Sequence, residues 1–230
     1  MNLLLLLAVA PGAIIVYKVY KEDKIEREPG YLIRKLLLAG FVSVIPAIIL
    51  EIVASKLLDG IFGGFRSYLY IALDAFLGTA LIEEWVKYLP LKKLTWKNPE
   101  FNFTFDGIVY AVSVGMGFAI IENIAYVLSN GFGNALLRAV TAIPGHAVFA
   151  IYMGYYYGRA KKCEADGDQA GSKHLLKNAL WIPVLIHGFY DFCLMSENIL
   201  LILLFFVFII ILFIRTYKNL KGYSINDSEI

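Results

Sequence analysis

Blocks of roughly 20 apolar residues alternate with short polar connections along the chain, and 20 is the length at which a helix crosses a bilayer. The two clearest blocks, Ala139–Gly158 and Asn198–Ile214, contain no Asp, Glu, Lys or Arg. The pattern predicts about seven spans: Leu3–Tyr20, Leu36–Leu58, Tyr68–Leu91, Asp106–Leu128, Asn134–Gly158, Leu175–Met195 and Ile199–Ile214. The expected fold is an all-α membrane protein, a polytopic helical bundle. Residues 1–230 form one domain, with the motif-bearing core over about 68–195. No Lys or Arg precedes the first block, and the small-residue site Ala8-Val9-Ala10 runs into Pro11. That block therefore reads as a retained first span and not as a cleaved signal.

Basic residues give the orientation. When Lys and Arg are assigned to alternating connections, eighteen of the 21 fall on one side and three on the other. By the positive-inside rule the N-terminus lies outside and the C-terminus in the cytoplasm. Composition agrees: 59% of residues are hydrophobic and 17% charged, against about a quarter charged in soluble domains, and the mean hydropathy is +0.67. These figures exclude a soluble enzyme, a nucleic-acid-binding domain, a disordered chain and a disulfide-stapled secreted module. The lipid bilayer is a partner and nucleic acid is not. Cys163 and Cys193 fall on opposite sides of the membrane in this topology, and neither has a CxxC neighbour. The Asp166-Gly167-Asp168 turn lacks the other ligands of a calcium loop and reads as solvated.

Several ionisable groups fall inside the spans: Glu51, Asp74, Glu83, Glu84, Lys87, Glu122, His146, His187 and Asp191. Each costs at least ~2.5–3.5 kcal/mol to insert, so such groups face a bundle interior and mark function. On span three, Lys87 projects roughly 40° from Glu83 and 60° from Glu84, between the two. Its ammonium can hold one carboxylate ionised while the other serves as a base. On span four, Ala111, Gly115 and Ala119 form a small-residue stripe that permits close helix approach. Beyond it, Glu122 and Asn123 require a polar partner on another helix. His146 follows Pro144-Gly145, where a helix can kink or open. On span six, His187 and Asp191 share a face, so the carboxylate can fix the imidazole tautomer; Gly188 leaves room for a substrate backbone. On these boundaries Glu83 stands on the order of 10 Å nearer the cytoplasm than Glu122 and His187.

This inventory suits two chemistries. In one, Glu122, His146 and His187 hold a divalent metal such as zinc while Glu83 or Glu84 acts as base. In the other, a glutamate activates water with no metal, and His or Asn stabilises the oxyanion. The chain has no HExxH. A proton-coupled transporter or channel is the alternative function, because intramembrane Glu, Asp and His also form proton relays; no repeat links the two halves of the chain.

The residues quoted resemble PrsW, a bacterial intramembrane protease family within the superfamily of type II CAAX prenyl endopeptidases and bacteriocin-processing enzymes. The resemblance rests on Glu83-Glu84-x-x-Lys87, on Asp106-Gly107-x-x-Tyr110 running to Gly117-Phe118-Ala119-x-x-Glu122-Asn123, on His146, and on His187-x-x-x-Asp191. It implies an intramembrane endopeptidase of the bacterial cell membrane. The implied activity is site-1 cleavage of a single-pass anti-sigma factor. Glu83, Glu84 and His187 are then catalytic, with one glutamate activating water, and Lys87, Glu122, Asn123, His146 and Asp191 support them. Glu122 stands where many superfamily members carry His, which leaves metal ligation open.

Overall fold

The structure, a computed structural model, describes residues 3–230. Helix α1 (Leu3–Glu22) leads into α2 (Gly30–Phe62). Next comes one continuous rod made of α3 (Tyr68–Leu73), a π-helical segment (Asp74–Ala80) and α4 (Leu81–Thr95). It is followed by α5 (Asp106–Val140), α6 (Ala142–Ala165), α7 (Gln169–Met195) and α8 (Ile199–Ile225). Among the described residues there is no strand, and the only extended pairing is a single antiparallel bridge between Phe103 and Glu229.

Four helical stretches are long and apolar enough to cross a membrane: Gly30–Phe62, Asp106–Ala165, Gln169–Met195 and Ile199–Ile225. The second turns back on itself. Gly131 leaves helical geometry at φ 76°, ψ −164°, a left-handed conformation that glycine adopts without a Cβ penalty. Residues 132–140 form a short helix, and α6 starts after Thr141. The span expected over Asn134–Gly158 is therefore divided between this short helix and α6. Pro144 lies in the first turn of α6 and does not kink a longer helix; a proline is tolerated there because the first amides have no intrahelical acceptor. Other helices outrun the predicted blocks. The rod continues to Thr95 and α8 to Ile225, because chain rich in Lys and Arg stays helical past the apolar block.

Helices α5 and α6 form the centre and run antiparallel, with Gly107 beside Gly154 and Gly158, and Gly115 beside Ala150. The predicted stripe contributes Gly115 to this contact. The tightest approaches use other glycines: Gly154 against the backbone of Gly107 and Ile108, and Gly117 and Gly40 at the α5–α2 crossing. Helices α1 and α2 pack against α5, α7 packs against α6, the rod lies between α2 and α7, and α8 lies against α6 and α7. Leu38, Val42, Ile45, Ile49 and Ile52 of α2, with Leu203, Val207 and Ile210 of α8, face outward as the apolar belt a bilayer requires. Phe101 stacks on Tyr157 at a ring separation of 5.3 Å and closes the end of the core nearest the α4–α5 connection. Both cysteines are free thiols. Asp168 accepts the Gly171 N–H at 2.8 Å and caps α7, so the Asp166–Asp168 turn does structural work.

The α5–α6 crossing leaves no room for side chains. Gly154→Leu should cost about 3 kcal/mol or more, a fall of roughly 6–12 °C in thermal unfolding of the detergent-solubilised protein. Gly222→Leu, where no atom lies within 4 Å of the added carbon, should leave the midpoint nearly unchanged.

Candidate active site

The charged face of the rod enters the bundle at Lys87. Its ammonium donates to Glu83 Oε2 at 2.9 Å, to Glu84 Oε1 at 2.9 Å and to His146 Nδ1 of α6 at 3.3 Å. An ammonium has three N–H groups, and each here has its own acceptor. The ring of Phe118 lies 4.1 Å from the same nitrogen. Lys87 thus fills the position between the two glutamates that helical spacing gives it.

Each imidazole has a polar partner beside both nitrogens. Because the ammonium can only donate, His146 Nδ1 accepts. The ring proton then sits on Nε2, 2.8 Å from Glu122 Oε2. His187 Nδ1 lies 3.0 Å from Glu84 Oε1, and its Nε2 lies 3.2 Å from Asp191 Oδ2 at ion-pair distance. Phe149 stacks against His187 at 4.5 Å between ring centres. The depth difference expected between Glu83 and His187 is absent, since α4 and α7 meet through the Glu84–His187 contact. Extension of the rod to Thr95 moves Glu83 toward its middle.

Glu122 and Asn123 have the polar partners their depth requires. Asn123 is fully buried, donates to the Ala8 carbonyl of α1 at 3.1 Å and accepts from Arg138 Nε at 2.9 Å. Arg138 Nη2 lies 3.1 Å from Glu122 Oε1, and its guanidinium rests 4.0 Å above the Tyr126 ring. The sequence pattern gave Arg138 only a topological role. The one signal for more was its isolation as the single Lys or Arg between Leu128 and Gly158. The space expected at Gly188 is filled, because a Cβ there would meet the Phe76 ring of the π-helical segment.

A cavity of about 560 Å3 opens beside the cluster. Glu51, Glu83, Glu122, Arg138, His146 and His187 contribute to its lining; Glu84 and Lys87 do not. Its rim is built from Asn134, Leu137 and Thr141 at the α5–α6 turn and from Met195 at the end of α7. Glu84, 1% exposed, stands behind Glu83, which is 5% exposed and faces the open space. Asp74 is not among the lining residues. A second cavity of equal volume lies between Phe105, Arg159, Tyr223 and Ser228, away from the cluster.

Glu83, Glu84, His146 and His187 could hold a metal ion: one ligand atom from each lies within 4.8 Å of the others, and all four residues are buried. Two carboxylates and two imidazoles are a donor set suited to zinc. Glu122 is outside this group and bonds the far nitrogen of His146. The Lys87 ammonium lies within hydrogen-bond distance of three of the four donors, so a metal and this ammonium compete for one space.

Paired carboxylates and imidazoles buried among membrane helices, with one glutamate facing a cavity, suit a hydrolase that works within the membrane. A family model described as "PrsW family intramembrane metalloprotease" matches residues 28–215. The chain belongs to this family and is a bacterial membrane protease. It is 36% identical to Protease PrsW of Clostridioides difficile (strain 630), over 99% of this chain and 94% of that protein. It is 34% identical to Protease PrsW of Geobacillus kaustophilus (strain HTA426), over 83% and 79%. With Protease PrsW of Bacillus subtilis (strain 168) the identity is 32%, over 96% of each chain. No solved structure matches the chain. These matches do not favour the transporter alternative.

Removing the ammonium isolates two buried carboxylates. Lys87→Met should cost about 3–5 kcal/mol and lower the unfolding midpoint in chelator by roughly 6–20 °C. Added zinc should recover more of that loss in the variant than it adds to the wild type, because the four donors remain and their competitor is gone.

Proposed function

We propose that the protein hydrolyses a peptide bond of a membrane-spanning protein with Glu83 as the base that activates water. The observation that supports this is the division of the glutamate pair. Both are held by one ammonium, yet only Glu83 lines the cavity. A water in the cavity gives its proton to Glu83 while its oxygen bonds to the scissile carbonyl carbon. The oxyanion formed is stabilised by the Nε2–H of His187, which lies near Asp191 without hydrogen-bond geometry, while Glu84 orients the ring through Nδ1. Collapse breaks the C–N bond, and Glu83 returns its proton to the leaving nitrogen. General-base assistance of this kind contributes about 10²–10⁴-fold. Lys87, Glu122, Asn123 and Asp191 position these groups. His146 is held by Lys87 on one side and Glu122 on the other.

A metalloprotease, as the family description reads, would bind its metal through Glu83, Glu84, His146 and His187. A zinc ion there would polarise the carbonyl and acidify a bound water. The saturated contacts of Lys87 support the metal-free route in this chain.

The topology belongs to the same reading: seven crossings in a single domain over residues 1–230, N-terminus outside and C-terminus cytoplasmic. The α5–α6 turn and the end of α7 then lie at the outer face, and the cavity opens toward it. That access suits site-1 cleavage of a single-pass anti-sigma factor close to the outer surface.

The test is co-expression with an epitope-tagged single-pass anti-sigma factor, with fragments mapped by mass spectrometry. Glu83→Gln should lower the cleavage rate at least about a hundred-fold at unchanged membrane abundance, and His187→Ala should lower it strongly. Glu84→Gln should lower both cleavage and thermal stability. Cleavage at the wild-type rate by Glu83→Gln would refute its role as base. Full cleavage by all three variants would refute the site.

A further inference from the structure

At the opposite end of α5, roughly 24 Å along the helix from Glu122, three carboxylates from two separate parts of the chain meet. Asp23 follows the last residue of α1, Glu28 precedes α2, and Asp106 opens α5. One oxygen from each lies within 4.8 Å of the others. Asp23 is 2% exposed and neither of its carboxylate oxygens has a hydrogen-bond partner; Asp106 is fully buried and its Oδ1 has none. The other contacts are made by different atoms. Glu28 Oε2 accepts from the Tyr110 hydroxyl at 2.6 Å. Asp106 Oδ2 accepts the backbone N–H groups of Phe103 at 2.7 Å and Asn102 at 3.1 Å.

No basic side chain among the described residues lies within ion-pair distance of the three. Burial, and then the neighbouring carboxylates, raise Asp23 to about 7; burial also raises Glu28 to about 7. A buried group of this kind needs a counter-charge or protons. One shared proton can serve two of the three partnerless oxygens on Asp23 and Asp106. A cation can draw on all of them.

We infer that Asp23, Glu28 and Asp106 form a binding site for a hard divalent cation of the magnesium or calcium class. Every side-chain donor in the group is an oxygen, with no imidazole or thiol among them, which selects against zinc and copper. The bound ion would tie the α1–α2 connection to the start of α5. None of the three residues lines the cavity beside Glu83, so the inference stands apart from the proposed peptide chemistry.

The test uses the full chain in detergent, stripped with chelator and titrated with Mg2+ or Ca2+ at pH 7. Calorimetry should show a saturable site. A hundred-fold excess over Kd should raise the unfolding midpoint by roughly 5–10 °C. Asp23→Asn removes a charge without removing a hydrogen bond. It should therefore fold at least as stably as the wild type in chelator, yet lose both the heat and the shift. Glu83→Gln should keep both, which separates this site from the active-site donors. Absence of binding by either ion, an undiminished shift in Asp23→Asn, or a midpoint that rises only on acidification and ignores both ions would overturn the inference.

Discussion

The Lys87 ammonium is the contact on which the rest of the arrangement depends. Two adjacent glutamates cannot both stay ionised inside a helical bundle without a cation, since burial penalises each charge and each repels the other. A lysine four residues after the first and three after the second provides that cation from the same helix. It also binds α4 to α6, because its third N–H reaches His146. Glu84 extends the network to α7 through His187, and His146 extends it to α5 through Glu122. Four helices are thereby set in register around one charged nitrogen.

Such a network requires helices that come close enough for short side chains to meet. Glycine backbones at the α5–α6 and α5–α2 crossings supply this closeness, and in lipid that packing carries much of the association energy that a hydrophobic core supplies in water. The π-helical segment contributes in the same way. It directs Phe76 onto Gly188, which brings the rod against α7 a few residues before Glu84 needs its imidazole. The polar cluster and the apolar crossings are therefore one design constraint. Polar groups give the site its chemistry, and small residues set the distance at which that chemistry becomes possible.

Some of this was legible in the sequence and some was not, for physical reasons. Helical spacing alone puts Lys87 between Glu83 and Glu84, because all three share one rigid element. Apolar blocks reveal the long helices, since bilayer thickness is a strict ruler. Block edges mislead where an amphipathic end continues as helix, as at Thr95, so depths read from those edges are misplaced by up to a turn. Features that depend on chain reversal leave little trace. Arg138 reaches Glu122 only because Gly131 turns the chain, and a count of basic residues reads it as a topology marker. Asp23, Glu28 and Asp106 come from two separate connections, and no periodicity joins them.

Glu122 shows how one partly buried carboxylate organises its surroundings. A carboxylate at this depth must first be neutralised, and here it is held by Arg138 on one oxygen and His146 on the other. Arg138 comes from the short helix between Gly131 and Thr141, the segment that also supplies the rim of the cavity. Glu122 therefore couples the rim to the imidazole beside the glutamate pair. A displacement of the short helix would remove the guanidinium from Glu122 and expose a charge the bundle cannot solvate. The rim is thus anchored by the energetic cost of uncovering that carboxylate, and the geometry at His146 is stable only while the rim segment is in place.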